Sequence, residues 1–306
     1  MHSFASHRAE VRPGVELAYW REGEGGDPLL LLHGWPETRR IWGRNVAALA
    51  EAGFDVVVPD LRGYGESGLA PDGSYDLAAH ARDVHALMTA VLGHPRFAAA
   101  GSDLGGGVAI DLGLRFPGAI DRQVLFNCLL PILPELAPVG PRTRQASDYY
   151  VRQGRDADAL AAELRTPEER RRYIATFYTS RFWGTPGGFT REEVAWMTEP
   201  FADAAKLRAG FGNYESAVGA RPLSEAPRMT ERVTVPTLAL YGPDDHVIYE
   251  DFPERCEEVF EELVGPFVVP RAGHFLQWER AALFNRAVIA FLRGGLAGRP
   301  TIPADG

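Results

Sequence analysis

The stretch Gly101-Ser102-Asp103-Leu104-Gly105 decides the fold of this chain. It follows an apolar run that ends at Ala100 and opens a Gly-rich helical pattern from Gly105 to Phe116. A small-x-nucleophile-x-small pattern between strand and helix is a nucleophile elbow, a tight turn that lifts one side chain clear of its neighbours. Small flanking residues let the backbone take that turn without a Cβ clash. Centred on Ser102 the frame fails, because Leu104 falls where a small residue is needed. Centred on Asp103, both flanks are glycine. The nucleophile is therefore read as a carboxylate, and a serine-type esterase is rejected. A carboxylate attacking carbon forms an alkyl-enzyme ester that water must then cleave.

Outward from the elbow, strand and helix patterns alternate. Strands are predicted over Val15 to Arg21, Pro28 to Leu32, Asp55 to Pro59, Phe97 to Ala100 and Arg122 to Asn127. The fully apolar runs among them suit strands buried on both faces of a parallel sheet. Helices are predicted over Ile41 to Ala52, Leu77 to Leu92 and Gly105 to Phe116, with Gly53 and Pro117-Gly118 as stops. This rhythm predicts an α/β fold with a mostly parallel, doubly wound sheet. From Leu129 to about Pro227 the pattern is helical and rich in aromatics, led in by the Pro-rich Leu130 to Pro141. After Pro236 the rhythm returns as a strand (Thr237 to Tyr241), a helix (Pro253 to Leu263), a strand (Pro266 to Val269) and a helix (Ala281 to Arg293). The expected organisation is a core of residues 1–128 and 228–295, split by a helical lid over 129–227, with a loose tail over 296–306.

Composition narrows the function classes. With 306 residues, the chain is long enough for one large α/β domain or for a core domain carrying a substantial insertion; 45% hydrophobic and 24% charged residues are ordinary for a soluble protein. A net charge of −9 argues against a nucleic-acid partner, which needs a basic surface. Met1 to Gly14 has no apolar signal core, and no run approaches the roughly 20 apolar residues that cross a bilayer. Two cysteines, Cys128 and Cys256, form no disulfide framework and are read as buried thiols, so a cytoplasmic location is expected. No metal is expected, since no His/Asp/Glu cluster has ligand spacing, and no other cofactor is implied. Lys206 is the only lysine, which argues against Schiff-base chemistry. Glu168 to Arg172 pairs charges at helical spacing and reads as a solvated face. A homodimer is the default assembly.

Four signals stand in order along the chain: His33-Gly34-Trp35-Pro36-Glu37 after one strand, Asp60-Leu61-Arg62-Gly63-Tyr64-Gly65 after another, the Asp103 elbow, and Gly242-Pro243-Asp244-Asp245 with Ala272-Gly273-His274-Phe275 after the late strands. Nucleophile, acid, then histidine is the order of the α/β-hydrolase triad. The sequence resembles the α/β-hydrolase superfamily over roughly residues 10 to 295, and within it the epoxide hydrolase branch. The resemblance implies the α/β-hydrolase fold with an inserted helical cap. It makes Asp103 the nucleophile, His274 the base that activates water and Asp245 the acid that orients it. Asp245 is preferred because it lies three residues past Gly242; Asp244 is the alternative. The resemblance also places an oxyanion hole at the amides of Leu104 and Trp35, with a cis Trp35–Pro36 bond as in relatives.

Relatives use two cap tyrosines to protonate the departing alkoxide. Tyr214 takes the second place by its distance from Asp245, and Tyr149 or Tyr150 the first. Consecutive helical side chains point about 100° apart, so one of these two faces the site, with Tyr150 preferred. His33 and Pro36 sit beside the pocket, His33 as a brace of the oxyanion loop. Trp183 and Phe177 are candidates for an apolar pocket wall, Trp196 and Phe182 for packing, and His246 for a loop residue near the site. The implied reaction converts an apolar or aromatic epoxide, a small molecule, to a vicinal diol.

The nearest alternative is a haloalkane dehalogenase, which typically holds the halide with a tryptophan after the nucleophile. Leu104 occupies that position here, although the Trp35 indole N–H offers a donor nearby. Fluoroacetate dehalogenases place arginines just after the nucleophile, and this helix has none before Arg115. A non-catalytic small-molecule binding protein is the rival from another class.

Overall fold

The computed structural model describes residues 4–135, 147–248 and 250–295. The apolar runs become the inner strands of one sheet: β3 (Asp27–Leu32), β4 (Phe54–Pro59), β5 (Phe97–Ser102), β6 (Ile120–Cys128) and β7 (Thr237–Tyr241). Leu29 to Leu32 and Val56 to Val58 are completely buried, as strands covered on both faces must be. Flanking them are β1 (Ser6–Arg12) and β2 (Val15–Glu22) at one side and β8 (Leu263–Val268) at the other. Among the described residues the strand order is β1-β2-β4-β3-β5-β6-β7-β8. The β1–β2 and β2–β4 pairs are antiparallel and the rest parallel. Strand order reverses between β3 and β5, so the loops leaving these two neighbours open onto one crevice, where such folds bind ligands.

The covering helices include α1 (Val46–Glu51), α2 (Leu77–Ala86) and α3 (Asp103–Arg115). Between β6 and β7 come α4 (Ser147–Arg155), α5 (Ala157–Glu163), α6 (Pro167–Thr179), α7 (Arg191–Thr198) and α8 (Ala204–Ala217). The chain then returns through α9 (Phe252–Val259), α10 (Leu276–Glu279) and α11 (Ala281–Leu292). β6 and β7 are parallel neighbours despite the insertion, and inside the core Gln123 Nε2 donates to Thr237 Oγ1 at 2.9 Å.

The inserted helices lie on the carboxyl ends of the strands. The Tyr178 hydroxyl donates to the Pro36 carbonyl at 2.7 Å, and a Cβ on Gly212 of α8 would come within 2.6 Å of the Tyr75 ring. Only a glycine lets α8 settle that closely. Core arginines clamp the insertion from the side: Arg40 reaches Glu199 at 2.6 Å and Arg44 reaches Glu193 at 2.5 Å. Among the described residues no helix is long and apolar enough to cross a membrane. Cys128 and Cys256 are both buried and free.

Four features depart from the sequence expectations. Strand β1 was not predicted, because its sequence SHRAEVR is polar; it is an exposed edge strand that needs only one apolar anchor, Val11. The single helix expected over Ile41 to Ala52 is a 3₁₀ turn (Arg39–Trp42) followed by α1. Buried Asn45 stands at the break and donates to the Gln277 carbonyl and to Asn285 Oδ1, fixing the chain there. The helix expected to reach Leu263 ends at Val259, and β8 begins at Leu263 rather than Pro266. Arg170 is not solvated: its guanidinium is buried and donates to the carbonyls of Ala202, Leu164 and Arg165.

Candidate active site

β5 runs straight into α3 at Asp103, which takes φ 47° in the left-handed region that a non-glycine residue adopts only under local constraint. The flanking glycines explain how the turn is built. A Cβ on Gly101 would lie 2.6 Å from the Gly105 backbone, and one on Gly105 would lie 2.4 Å from the Leu32 carbonyl oxygen. Gly34 is equally constrained, since its Cβ would meet Asp103 Oδ1 at 2.7 Å. The elbow therefore lifts the Asp103 carboxylate against the loop that leaves β3.

That loop supplies a donor. The Trp35 amide donates to Asp103 Oδ1 at 2.8 Å, and the Trp35–Pro36 peptide is cis. Leu104 is buried in the first turn of α3, where backbone amides have no intrahelical partner. His33 is completely buried: its Nδ1 meets the Gly34 carbonyl at 2.8 Å and its Nε2 accepts from the Leu61 amide at 3.0 Å. It braces the loop from behind. Pro36 contributes through its carbonyl, which holds Tyr178.

On the far side of the crevice, His274 Nδ1 lies 2.9 Å from Asp245 Oδ2, and His274 Nε2 lies 3.7 Å from Asp103 Oδ2. Asp245 Oδ1 accepts from the amides of Val247 and Ile248, which fixes the carboxylate. Of the two neighbouring aspartates, Asp245 is therefore the one whose carboxylate meets the histidine. Burial alone would depress the His274 pKa, but Asp245, Asp103 and Glu37 outweigh it and push it up to about 9.

Aromatic rings of the insertion roof the crevice. Tyr149 stacks on Trp35 with centroids 5.8 Å apart, and it meets Trp183 at 5.2 Å and Tyr214 at 5.8 Å. Tyr150 packs on the flank of Tyr214 at 5.2 Å. Of the two neighbouring tyrosines, Tyr149 is the one whose ring meets both Trp35 and Trp183. Burial raises the Tyr214 pKa well above its ordinary value, with the Tyr149 and Asp103 charges adding to it, so the hydroxyl keeps its proton. Phe177 and Trp183 flank Trp35 at 4.7 and 6.1 Å, and Trp183 also meets the His274 ring at 4.7 Å. Phe182 and His246 face each other at 6.1 Å beside the site, and Trp196 packs on Trp278 at its edge. The Trp35 indole Nε1 is buried without a hydrogen-bond partner among the described residues, and a Cβ on Gly210 of α8 would come within 3.2 Å of it.

Glu37 went unrecognised in the sequence. It is completely buried, accepts from the Gly34 amide at 2.6 Å and from Gln277 Nε2 at 3.2 Å, and lies close enough to His274 and Asp103 to feel their charges. Burial pushes its pKa up to about 7, against the opposing pull of His274. Its only sequence signal is its place directly after His33-Gly34-Trp35-Pro36, and nothing in the composition marks it as buried.

The model of the alpha/beta hydrolase fold family matches residues 27–281. The soluble epoxide hydrolase of Corynebacterium sp. (strain C12) is 29% identical over 289 residues, covering 92% of this chain and 94% of that protein. Epoxide hydrolase A of Mycobacterium tuberculosis is 27% identical over 316 residues, covering 92% and 95%. The solved structure "Epoxide hydrolase CorEH without ligand" superposes with a TM-score of 0.83 at 24% identity, over 95% of this chain and 99% of that one. Elbow, strand order and family match agree: the chain belongs to the alpha/beta hydrolase fold family.

Proposed function

We propose that this protein is an epoxide hydrolase that forms a covalent ester on Asp103 and releases a vicinal diol. The observation that carries the reading is one carboxylate held between two partners, the Trp35 amide on Oδ1 and His274 beyond Oδ2, beneath a pair of tyrosines. Similarity to proteins named epoxide hydrolases supports the substrate class.

With Oδ1 held by the amide, Oδ2 attacks an epoxide carbon. The carbon–oxygen bond breaks, and Tyr149 and Tyr214 hydrogen-bond the departing alkoxide and supply its proton. Ester formation removes the Asp103 charge, one of those that raise His274, so the imidazole becomes a better neutral base for the second step. His274 Nε2 then takes a proton from water, and the hydroxide attacks the ester carbonyl. The amides of Trp35 and Leu104 hold the resulting oxyanion, which collapses with departure of the diol oxygen. The two protons of the water, one on His274 and one on the re-formed Asp103 carboxyl, complete the diol and restore the tyrosine, leaving Asp103 ionised. The aromatic roof suits an apolar or aromatic epoxide. Two buried free thiols fit a reducing compartment such as the cytoplasm.

The test is turnover of styrene oxide in ¹⁸O-water with enzyme in excess. The first diol should carry unlabelled oxygen taken from Asp103, and the label should appear in that carboxylate. Direct labelling of the diol would sink the covalent route, and halide release from haloalkanes without any diol would move the protein to the dehalogenases.

A further inference from the structure

We infer that Glu279 is a positioning residue that ties the base loop to the insertion and thereby sets the rate of ester hydrolysis. The inference rests on the two-step reading above. Glu279 Oε2 accepts from the Gly273 amide at 2.9 Å and from the Thr185 amide at 3.1 Å. One carboxylate oxygen therefore bridges the residue before the base and the loop between α6 and α7.

The insertion loop also meets the base loop and the neighbouring acid loop backbone to backbone. The His274 amide donates to the Trp183 carbonyl at 2.6 Å, and the His246 amide, next to the triad acid, donates to the Phe182 carbonyl at 3.0 Å. A Cβ on Gly273 would lie 2.6 Å from the Trp183 carbonyl oxygen, so the contact admits no spacer. From the core side, Asn127 Nδ2 donates to the Gly273 carbonyl at 2.7 Å while its Oδ1 accepts from the Gly242 amide. The base loop is thus held by Asn127 below and by Glu279 and the insertion above.

Asp103 is positioned independently, by α3 and the Trp35 amide. Loosening the base loop should leave ester formation intact and slow only the step that needs His274. Misplacement of a reacting group by about 1 Å can cost roughly 10²-fold. A general structural defect would lower both steps together.

The experiment is rapid quench of enzyme with styrene oxide, following the mass of the Asp103 adduct in wild type, Glu279→Leu, Glu279→Gln and His274→Gln. Expected is ester breakdown slowed about tenfold or more in Glu279→Leu with ester formation within about threefold of wild type. Glu279→Gln, which keeps an acceptor oxygen, should restore breakdown. Wild-type breakdown in Glu279→Leu overturns the inference. If Glu279→Leu loses ester formation as well, Glu279→Asp decides: it keeps the charge but is one methylene short of Thr185, and equal slowing of both steps there overturns the inference too. His274→Gln tests the underlying reaction separately. An accumulating adduct in it upholds that reading whatever Glu279 does, and no adduct in it removes both.

Discussion

At the scale of single residues, the site is a set of charges whose values depend on one another. Glu37 makes a sharp case. Its folded pKa is raised from 4.5 to about 7, so the stability linked to its proton is complete below 4.5 and lost as pH climbs through about 7. The thermal midpoint of the wild type is expected to fall across that window, and Glu37→Gln should flatten the fall; an unchanged pH slope in the variant would remove Glu37 as its source. His274 runs in the same direction, with a window from 6.5 to about 9. Asp103→Asn is expected to abolish diol formation, and Tyr214→Phe to slow ester formation by about 10²-fold while sparing ester breakdown, both read by product assay and adduct mass. Asp103 is legible in the sequence because glycines 101 and 105 frame it, and Asp245 and His274 because each stands in the loop that follows a late strand. It left Glu37, Glu279 and the choice between Tyr149 and Tyr150 illegible, since burial and ring direction arise only when distant segments meet.

At the scale of elements, the inner strands were readable because burial on both faces demands an unbroken apolar run, and Leu29–Leu32 supplies one. Strand β1 escaped because an edge strand carries polar residues, and the break at Asn45 escaped because its partners, Gln277 and Asn285, lie more than 230 residues away. Helix α8 shows how an element aims a functional group. Gly210 and Gly212 let it sink against Trp35 and Tyr75, and that depth places Tyr214 beside Tyr149. Gly212→Ala is expected to push α8 outward, costing about 1–3 kcal/mol in thermal unfolding and a larger share of ester formation than of ester breakdown. Equal losses in the two steps would show that the depth of α8 does not aim Tyr214.

At the scale of the whole molecule, the insertion is fastened to the core by arginines at its rim. Arg40 and Arg44 pair with Glu199 and Glu193 in partly exposed positions, each pair contributing about 0.2–1 kcal/mol. Replacing both arginines by glutamine is expected to lower the thermal midpoint by about 1–3 °C in dilute buffer and by less in 1 M NaCl, where exposed charges are screened. A loss independent of salt would assign their role to packing on Trp196 and Trp278 instead. The division of the sheet by the insertion also has a consequence for birth on the ribosome. Gln123 and Thr237 lock β6 to β7 across a separation of 114 residues. At about 5–20 residues per second, that distance takes roughly 6–23 s to translate. Throughout that interval the nascent chain carries a sheet whose apolar margin has no neighbour, so the newborn protein depends on its helical insertion, or on a chaperone, to keep that margin from the wrong strand until the right one emerges.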